Sequence, residues 1–511
     1  THTCGQLSDS DIGQKVAICG WVHGHRDLGG LIFVDVRDRW GITQVVFDPD
    51  IVSKECMDTA HSVRYEFSIR ATGTVRRRPE GAENPQNPTG MIEVRADSIE
   101  ILNKSRTPPF MVEDDTTASE DLRLEYRYLD LRRPVLKDKI ELRHRAALAV
   151  RRYLDSQGFV EIETPFLMRS TPEGARDYIV PSREQKGKFY ALPQSPQLFK
   201  QILMISGFDR YFQMARCLRD EDLRADRQPE HTQIDMEMSY VTTDDVFRVV
   251  EGMMKDLFKT VLGDDINFPF ERLTYREAMD RYGSDKPDLR FGLEVVDISL
   301  IVADKWGVVC DALCAVRKEL GESLLHAGDR KWAFLWVYEF PLFEYNPESG
   351  RFDAMHNIVT SPYKEDMAKL DSGFKSDLDL SDPSHPWANI PANQYDLVLN
   401  GVEIASGGIR IHDRDVQEKV LAVMGIDSDR AEKMFGFLLR ALQYGAPPHG
   451  GIAPGFDRII ALMTGSESLR DVIAFPKTTA AQSLMDGSPA EVDPHQLDEL
   501  GICIKHKDCK S

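Results

Sequence analysis

No stretch of this 511-residue sequence approaches the roughly 20 consecutive apolar residues that span a bilayer. Its start, Thr1-His2-Thr3-Cys4-Gly5-Gln6, has neither the basic nor the apolar segment of a secretory signal. The expectation is a cytoplasmic protein with no membrane partner. Cysteine is sparse: the eight are scattered, and the nearest pairs, Cys310 with Cys314 and Cys503 with Cys509, have no Cys or His partners at zinc-ligand spacing. They read as reduced thiols without a structural metal. Positive charge is in deficit, 63 basic against 83 acidic residues for a net −20, which argues against a protein that coats nucleic acid, DNA included, non-specifically. No GKS or GKT follows a glycine-rich turn, so there is no P-loop.

What remains is a globular composition, 42% apolar and 29% charged, on a chain long enough for about three domains. Residues 1–105 read as five short strands, Val16–His23, Leu31–Arg37, Ile42–Phe47, Glu66–Val75 and Met91–Leu102, with one helical patch between them. That count suggests a small barrel of the OB type, a frequent binder of single-stranded nucleic acid. Between His61 and Arg78, five arginines face only Glu66 in sequence, a local basic patch in an acidic chain. Phe33, among Leu31, Ile32 and Val34, fits a core position as well as a base-stacking one. Residues 106–136, with Pro108-Pro109 and an acidic Thr/Ser run, read as a linker or hinge.

A helical period starts near Lys137 and stops at Gly158, followed by a strand, Phe159 to Thr164, closed by Pro165. Beyond a Gly/Pro/Ser-rich loop, Gln197 to Ile205 starts a helix, with Ser195 as cap and Pro196 at the first position. Such a start aims backbone donors and Lys200 towards an anion. Tyr211–Arg219 and Thr232–Tyr240 form two strands around a charged loop, Asp220 to His231, too long for a tight turn. On the second strand Ile234, Met236 and Met238 alternate with Gln233, Asp235 and Glu237, so one face is apolar and the other polar. In isolation this describes a solvated hairpin as readily as a site.

Asn400-Gly401 between apolar runs is the strongest short hairpin signal, a type I′ turn that sets Val398 opposite Glu403. Asp396 and Glu403 then become diagonal neighbours on one face, about 7 to 8 Å apart, able to share a hard cation such as Mg²⁺. A bulge at Ser406-Gly407-Gly408 would flip the strand's parity and bring Arg410 onto that same face. Gly445 to Arg458 is a glycine-rich turn and strand opening an apolar helix, with Arg458 near its start. His356, after the apolar run Lys331–Phe343, belongs to a site only if these strands converge.

These segments, taken in order, resemble class II aminoacyl-tRNA synthetases, in particular those of the bacterial aspartyl type, over nearly the whole length. Gly158-Phe-Val-Glu-Ile-Glu-Thr-Pro165 resembles the family's first motif, Cys217-Leu-Arg-Asp-Glu-Asp222 with Gln228 to Asp235 the second, and Gly451-Ile-Ala-Pro-Gly-Phe-Asp-Arg458 the third. The resemblance implies an α+β protein: an OB-fold anticodon-binding domain, then a catalytic domain built on an antiparallel sheet flanked by helices. The catalytic parts would be 137–300 and 331–511, separated by 301–330 as the remnant of a larger insertion, whose tail resembles Ala303 to Leu320.

The resemblance further implies activation of L-aspartate by ATP and Mg²⁺, transfer to tRNA(Asp) or also tRNA(Asn), and a homodimer formed through the first motif with Pro165. Arg219 would hold the α-phosphate and Arg458 the γ-phosphate, with Glu221, Gln228, His231 and Glu403 completing the ATP site, and Asp396 and Glu403 would bind the metal. Arg410 and Lys200 would grip the aspartate side chain, Asp235, Ser195 and Gln197 its ammonium end, with His356 in the same pocket and Glu173 on a mobile loop above. Glu237 would lie nearer the metal. Arg26, Phe33 and Gln44 match anticodon-contacting positions. His231 stands where the family has a phenylalanine stacked on adenine, which predicts pH-sensitive binding; Asn357 stands where it has a second histidine. An asparaginyl-tRNA synthetase is disfavoured by Arg410 with Lys200, and a catalytically silent RNA-binding paralogue by the retained phosphate clamps and paired carboxylates.

Overall fold

The computed structural model describes residues 1–171, 174–295, 306–325 and 331–504, the side chains at 322 and 324 excepted. It divides into two units, Thr1–Asp138 and Lys139–Ser511. No described helix is long and apolar enough to cross a membrane.

In the first unit, strand β1 (Lys15–Leu28) is long enough to pair with two neighbours. It meets β2 (Leu31–Arg37) along one half and β4 (Ser68–Arg77) along the other. With β3 (Ile42–Phe47) and β5 (Ile92–Asn103) these close a barrel in the order β1-β2-β3-β5-β4. Alternation decides its inside: Ile32, Val34 and Val36 are fully buried, as are Val45 and Phe47, which leaves Phe33 and Asp35 on the outer surface. Phe33 is thus not a core residue.

The basic patch dissolves on folding, because four of the five arginines find an acid or carbonyl distant in sequence and Arg64 donates to the local carbonyls of His61 and Val63. Arg70 pairs with Glu100, Arg76 with Glu93 (2.8 Å), and Arg77 with Asp9 (3.3 Å), while Arg78 Nε donates to Ile92 O. Glu66 does not open a strand as its context predicts. It adopts a positive φ of 64° and buries its carboxylate between Arg37 (2.6 Å) and Arg132 (2.6 Å). The segment read as a linker carries short helices, Glu120–Glu125 and Arg127–Asp130, and Asp130 is fully buried between Arg127 and Arg133, both at 2.8 Å.

The second unit is organised by an eight-stranded sheet. In chain order its strands are β6 (Val160–Glu161), β9 (Arg210–Leu218), β10 (Glu230–Ser239), β11 (Glu271–Thr274), β12 (Phe334–Tyr338), β15 (Gln394–Leu399), β16 (Val402–Ile409) and β17 (His449–Pro454). Their spatial order is β11-β12-β15-β16-β17-β10-β9-β6; the inner pairs are antiparallel and the two outermost are parallel. Two small hairpins stand apart, β7 (Ile179–Pro181) with β8 (Phe189–Ala191), and β13 (Phe343–Asn346) with β14 (Arg351–Ala354). One sheet face is the core. Ile234, Met236, Trp336, Leu397, Ile404 and Ile452 pack against Phe247, Val250, Met254 and Phe258 of the helix Thr243–Leu262, and Phe247 stacks on Trp336 at 3.9 Å. Trp336 Nε1 reaches Glu251 at 3.0 Å, so the indole is buried without an orphaned donor.

The β15–β16 turn is the one the dipeptide demands. Asn400 (φ 52°) and Gly401 (φ 78°) both lie in the left-handed region, and Asn400 fastens the turn by accepting from Ala333 N (2.9 Å) and donating to Lys331 O (3.0 Å). Val398 pairs with Glu403, as that turn requires. The bulge falls earlier than the glycines suggested: Leu397 pairs with Ala405, so Ile404 is the extra residue, and its carbonyl is taken by Gly455 N at 2.7 Å. The parity still flips, because Ser406, Gly408 and Arg410 now share the face of Glu403. Gly401→Val forces a β-branched side chain into positive φ, its Cβ about 3.1 Å from that of Asp288. It should cost about 1–3 kcal/mol, read as a lower denaturation midpoint.

Candidate active site

The second sheet face carries one cavity of about 730 Å³. Its walls include Ser195, Gln197 and Lys200 from the helix Gln197–Ile205 and the turn before it, Arg219, Glu221 and Gln228 from the flap between β9 and β10, and His231 from the start of β10. Asp235, His356, Glu403, Arg410 and Arg458 also line it. Twelve of the residues singled out for catalysis or substrate binding therefore converge. Asp396 lies just behind the wall, joined to His356 Nε2 at 3.4 Å and to the lining residue Gln394 at 3.2 Å. Glu173 falls outside the described residues. Ser195 acts at the helix start as expected in kind, accepting from Gln197 N at 3.3 Å, while the helix opens at Gln197 with Pro196 as its cap.

The polar face of β10 is not solvated: Asp235 and Glu237 are both fully buried. Arg410 Nε donates to Glu237 Oε1 at 2.9 Å, and Lys200 Nζ bridges Asp235 (2.9 Å) and Glu237 (3.3 Å). Glu237 is therefore the anchor of the cationic pair, its charge partners being Arg410 and Lys200. Burial pushes its carboxyl up, but Arg410 and then Lys200 outweigh that and hold it below the ordinary range. For Asp235 burial wins over Lys200, and its carboxyl is raised. Asp235 Oδ1 and Gln197 Nε2 are buried without a hydrogen-bond partner among the described residues, the nearby Tyr211 hydroxyl being turned to Gln213 at 3.0 Å. Gly451 makes room for this cluster, since a Cβ there would stand 2.1 Å from Glu237 Oε2.

At the other end of the cavity, Arg458 Nη1 donates to Glu403 O at 2.6 Å. The next residue back, Asp457, ties the start of its helix to β10 by accepting from Thr232 N at 2.8 Å and pairing with Arg143. Arg219 sits at the neck of the flap, which its own N–H closes onto Pro229 O at 2.9 Å. His231 faces Arg219 and Arg458. Burial and then those two charges depress its imidazole to about 3, so it is neutral at physiological pH. That runs against the expectation of pH-sensitive stacking near neutral pH. Burial raises Glu403, and the charge of Asp396 raises it further. Burial pulls His356 down, but its bond to Asp396 more than compensates, leaving it raised. Asn357 turns the chain, its Oδ1 accepting from Val359 N at 3.2 Å.

Four residues that build this site escaped the sequence: Gln394, Glu237 in its true role, Asp457 and Lys477. Gln394 had a signal, since it precedes Asp396 by one strand period; it donates to Ser406 Oγ at 2.9 Å and accepts from Thr360 at 3.3 Å. Gln228 was placed on ATP, but its side-chain amide is committed to the backbone of Lys477, at 2.9 and 3.1 Å. On the barrel, Arg26, Phe33 and Gln44 do come together. Arg26 Nη2 donates to Gln44 at 3.0 Å and its guanidinium carbon lies 6.0 Å from the Phe33 ring centre, while buried Glu93 accepts from Gln44 at 2.8 Å.

An antiparallel sheet with two arginines at one end of a large polar cavity and a buried Arg/Lys pair at the other is the architecture of a class II synthetase domain. The model of the tRNA synthetases class II (D, K and N) matches residues 119–479, and that of the OB-fold nucleic acid binding domain residues 16–102. The chain belongs to the class II tRNA synthetases of the D, K and N group. Among curated proteins it is 45% identical to the aspartate–tRNA(Asp/Asn) ligase of Anoxybacillus flavithermus, over 99% of this chain and 98% of that one. It is 44% identical to the aspartate–tRNA ligase of Bacillus licheniformis, over 99% of each. Those alignments run to 596 and 599 positions against 511 residues here, so the relatives carry segments that this chain lacks. In fold it is similar to asparaginyl-tRNA synthetase from Pyrococcus horikoshii complexed with asparaginyl-adenylate (TM-score 0.70, 21% identity, 93% of this chain and 98% of that one). It is also similar to the aspartyl-tRNA synthetase of Entamoeba histolytica (TM-score 0.67, 21% identity, 93% and 90%).

The neutral state of His231 has a measurable signature. Its imidazole resonance should not titrate between pH 5 and 8. Because its folded pKa of about 3 lies below the ordinary 6.5, its contribution to stability is present above pH 6.5 and is lost as pH falls towards 3. A His231→Phe protein should lose less stability than wild type over that window in denaturant titrations; equal losses would refute the assignment.

Proposed function

We propose that this protein activates L-aspartate with ATP and transfers it to the 3′ end of tRNA(Asp). The observation that carries the reading is the buried Arg410 and Lys200, ordered by Glu237 and Asp235, at one end of a cavity whose other end holds Arg219 and Arg458. Glu237 engages Arg410 through Nε and, at 3.4 Å, Nη2, which leaves Nη1 for a ligand. A substrate carboxylate between Nη1 and Lys200 is paired in a dry site. An amide there leaves cationic donors underpaired, which costs several kcal/mol, on the scale of a broken buried charge pair. The orphaned Asp235 Oδ1 and Gln197 Nε2 suit the ammonium and carboxylate of the same amino acid, with Ser195 and His356 beside them and Glu173 on the loop above.

In the first step a carboxylate oxygen of aspartate bonds to the α-phosphorus and the bond to pyrophosphate breaks. No general base is needed, because the nucleophile is already an anion; positioning and charge stabilisation carry the step. Arg219 meets the α-phosphate, Arg458 the γ-phosphate, and neutral His231 offers an aromatic face to adenine without adding a third positive charge. Glu221 and Glu403 help to place the nucleotide, and Gln228 contributes through its backbone. In the second step the terminal ribose hydroxyl of the tRNA attacks the activated acyl carbon and AMP leaves.

Magnesium would be held by Asp396 and Glu403. The donor set fits: two carboxylates close enough for one to raise the other are relieved by a divalent cation. Among the described residues no group of three acids, histidines or cysteines forms a cage, which suits an ion that keeps water and phosphate oxygens as ligands. When bound, it draws charge from the phosphate oxygens.

In this reading residues 1–105 would read the anticodon through Arg26, Phe33 and Gln44, and 106–136, folded as part of the first unit, would lead from them to the catalytic part. Residues 137–300 and 331–511 form the catalytic domain around the insertion remnant 301–330. A homodimer through the first motif is supported by β6 at the open sheet edge, where Val160, Phe166 and Leu167 are about half exposed beside the exposed Pro165.

Aspartate-dependent ATP–pyrophosphate exchange, with asparagine as control, tests the reading: no exchange with aspartate, or equal exchange with both, would sink it. Arg410→Leu should abolish aspartate use while calorimetric ATP binding persists in protein shown to be folded by circular dichroism; lost ATP binding would refute its role. Phe33→Ala should raise the KM for tRNA(Asp) with exchange unaltered, by about tenfold for one stacked base. An unchanged KM would remove Phe33 from the anticodon site, and charging tRNA(Asn) in parallel would show whether the second acceptor is used.

A further inference from the structure

The flap between β9 and β10 is held from behind at its return limb. Past the helix Phe456–Thr464, the chain from Ser468 to Lys477 runs alongside Ala225 to Glu230, and Leu469 N donates to Ala225 O at 3.1 Å. The Gln228 amide then pairs with Lys477 in both directions, its Nε2 also reaching Arg227 O at 3.3 Å. Its Nε2 donates to Lys477 O at 3.1 Å and its Oε1 accepts from Lys477 N at 2.9 Å. Gln228 is 4% exposed, so both polar ends of the amide are satisfied away from water. Only a primary amide offers a donor and an acceptor to the N–H and C=O of one residue; a glutamate would set an oxygen against Lys477 O. Beyond this contact, Lys477 Nζ reaches Glu230 Oε1 at 3.0 Å, and the other Glu230 oxygen accepts from Arg216 at 2.8 Å. The tip, Glu221 to Arg224, alternates half-buried and exposed residues, and Glu221 is tied to Arg227 at 3.3 Å.

We infer that Gln228 and Lys477 are positioning residues for the activation step. They clamp the return limb of the flap to Ser468–Lys477 and so set the height of Arg219, hydrogen-bonded to that limb at Pro229, and of Glu221 above the nucleotide end. Gln228 acts on ATP through the flap and not through its own side chain. The kinetic part of this inference rests on the aspartate-ligase reading; the clamp itself does not.

The test pairs hydrogen exchange of the ligand-free protein with exchange kinetics. In Gln228→Ala, amides of 225–230 and 469–477 should exchange about tenfold faster or more, and the KM for ATP should rise about 10- to 100-fold, the worth of two buried hydrogen bonds, with the KM for aspartate within about twofold. Lys477→Met should show a smaller rise in the KM for ATP that Lys477→Arg restores, since the arginine regains Glu230 while the backbone clamp is common to all three. A raised KM for ATP with unchanged hydrogen exchange would mean that Gln228 touches the nucleotide directly, and would overturn the clamp. Faster hydrogen exchange with unchanged ATP kinetics would overturn its positioning role. A wild-type protein that exchanges no pyrophosphate defeats the ligase reading, and the hydrogen-exchange comparison, needing no substrate, separates that failure from failure of the clamp.

Discussion

Glu237 has no access to water, and the amino-acid end of the cavity depends on how its charge is met. A buried carboxylate is tolerated only when paired and hydrogen-bonded. Here Arg410 supplies Nε, Lys200 supplies Nζ, and Gly451 stands where any side chain would collide with Glu237. Three elements distant in sequence, the helix Gln197–Ile205, the strand β10 and the end of β16, are locked by one four-charge cluster with Asp235 as its last member. Two acids and two bases sum to zero, so the cluster is stable without ligand yet leaves Arg410 Nη1 unspent. Removing any one member strands an opposite charge in a dry place, a cost of about 3–5 kcal/mol. The cluster therefore supports the fold and, in the proposed reading, the specificity.

Much of this was legible where local chemistry alone decides. Asn400-Gly401 fixed the register of β15 on β16 because both residues tolerate positive φ, and that register placed Asp396 diagonal to Glu403. The period-2 alternation of β10 correctly divided apolar from polar side chains. It could not say that the polar face is buried as deeply as the apolar one, since that depends on Lys200 and Arg410 arriving from elsewhere. The bulge was expected where glycines permit it but occurs at Ile404, where Gly455 N waits for a freed carbonyl; a partner 51 positions away overrode local permissiveness.

The rest was illegible for the same reason, that long-range partners decide. Five arginines near one glutamate resemble a nucleic-acid patch until Glu93, Glu100 and Asp9 neutralise three of them across the barrel. Parallel pairing of β11 with β12 has no turn signal, because the intervening chain is long. Phe33 was ambiguous between core and surface by composition, and only the barrel's closure assigns it outward. Gln228 looked like a ligand residue because it lies on a charged flap, yet a buried amide is satisfied first by whatever backbone is in reach.

The two ends of the cavity solve opposite electrostatic problems with related means. At the amino-acid end the charges cancel before any ligand arrives, so an incoming carboxylate is discriminated by geometry and by the donors it satisfies. At the other end Arg458 is steadied by the neutral carbonyl of Glu403 and meets the exposed carboxylate of Asp226 at 3.8 Å, a loose pairing that the proposed phosphate displaces. His231 is buried, and the charges of Arg219 and Arg458 add to that burial in making protonation there unfavourable. An imidazole serving as an aromatic face at that point must be neutral; burial does most to keep it so, and the two arginines that would handle the phosphates reinforce it. Substituting a titratable ring for a hydrocarbon one then costs little in charge, because burial and the site's own cations suppress the titration that would otherwise distinguish them.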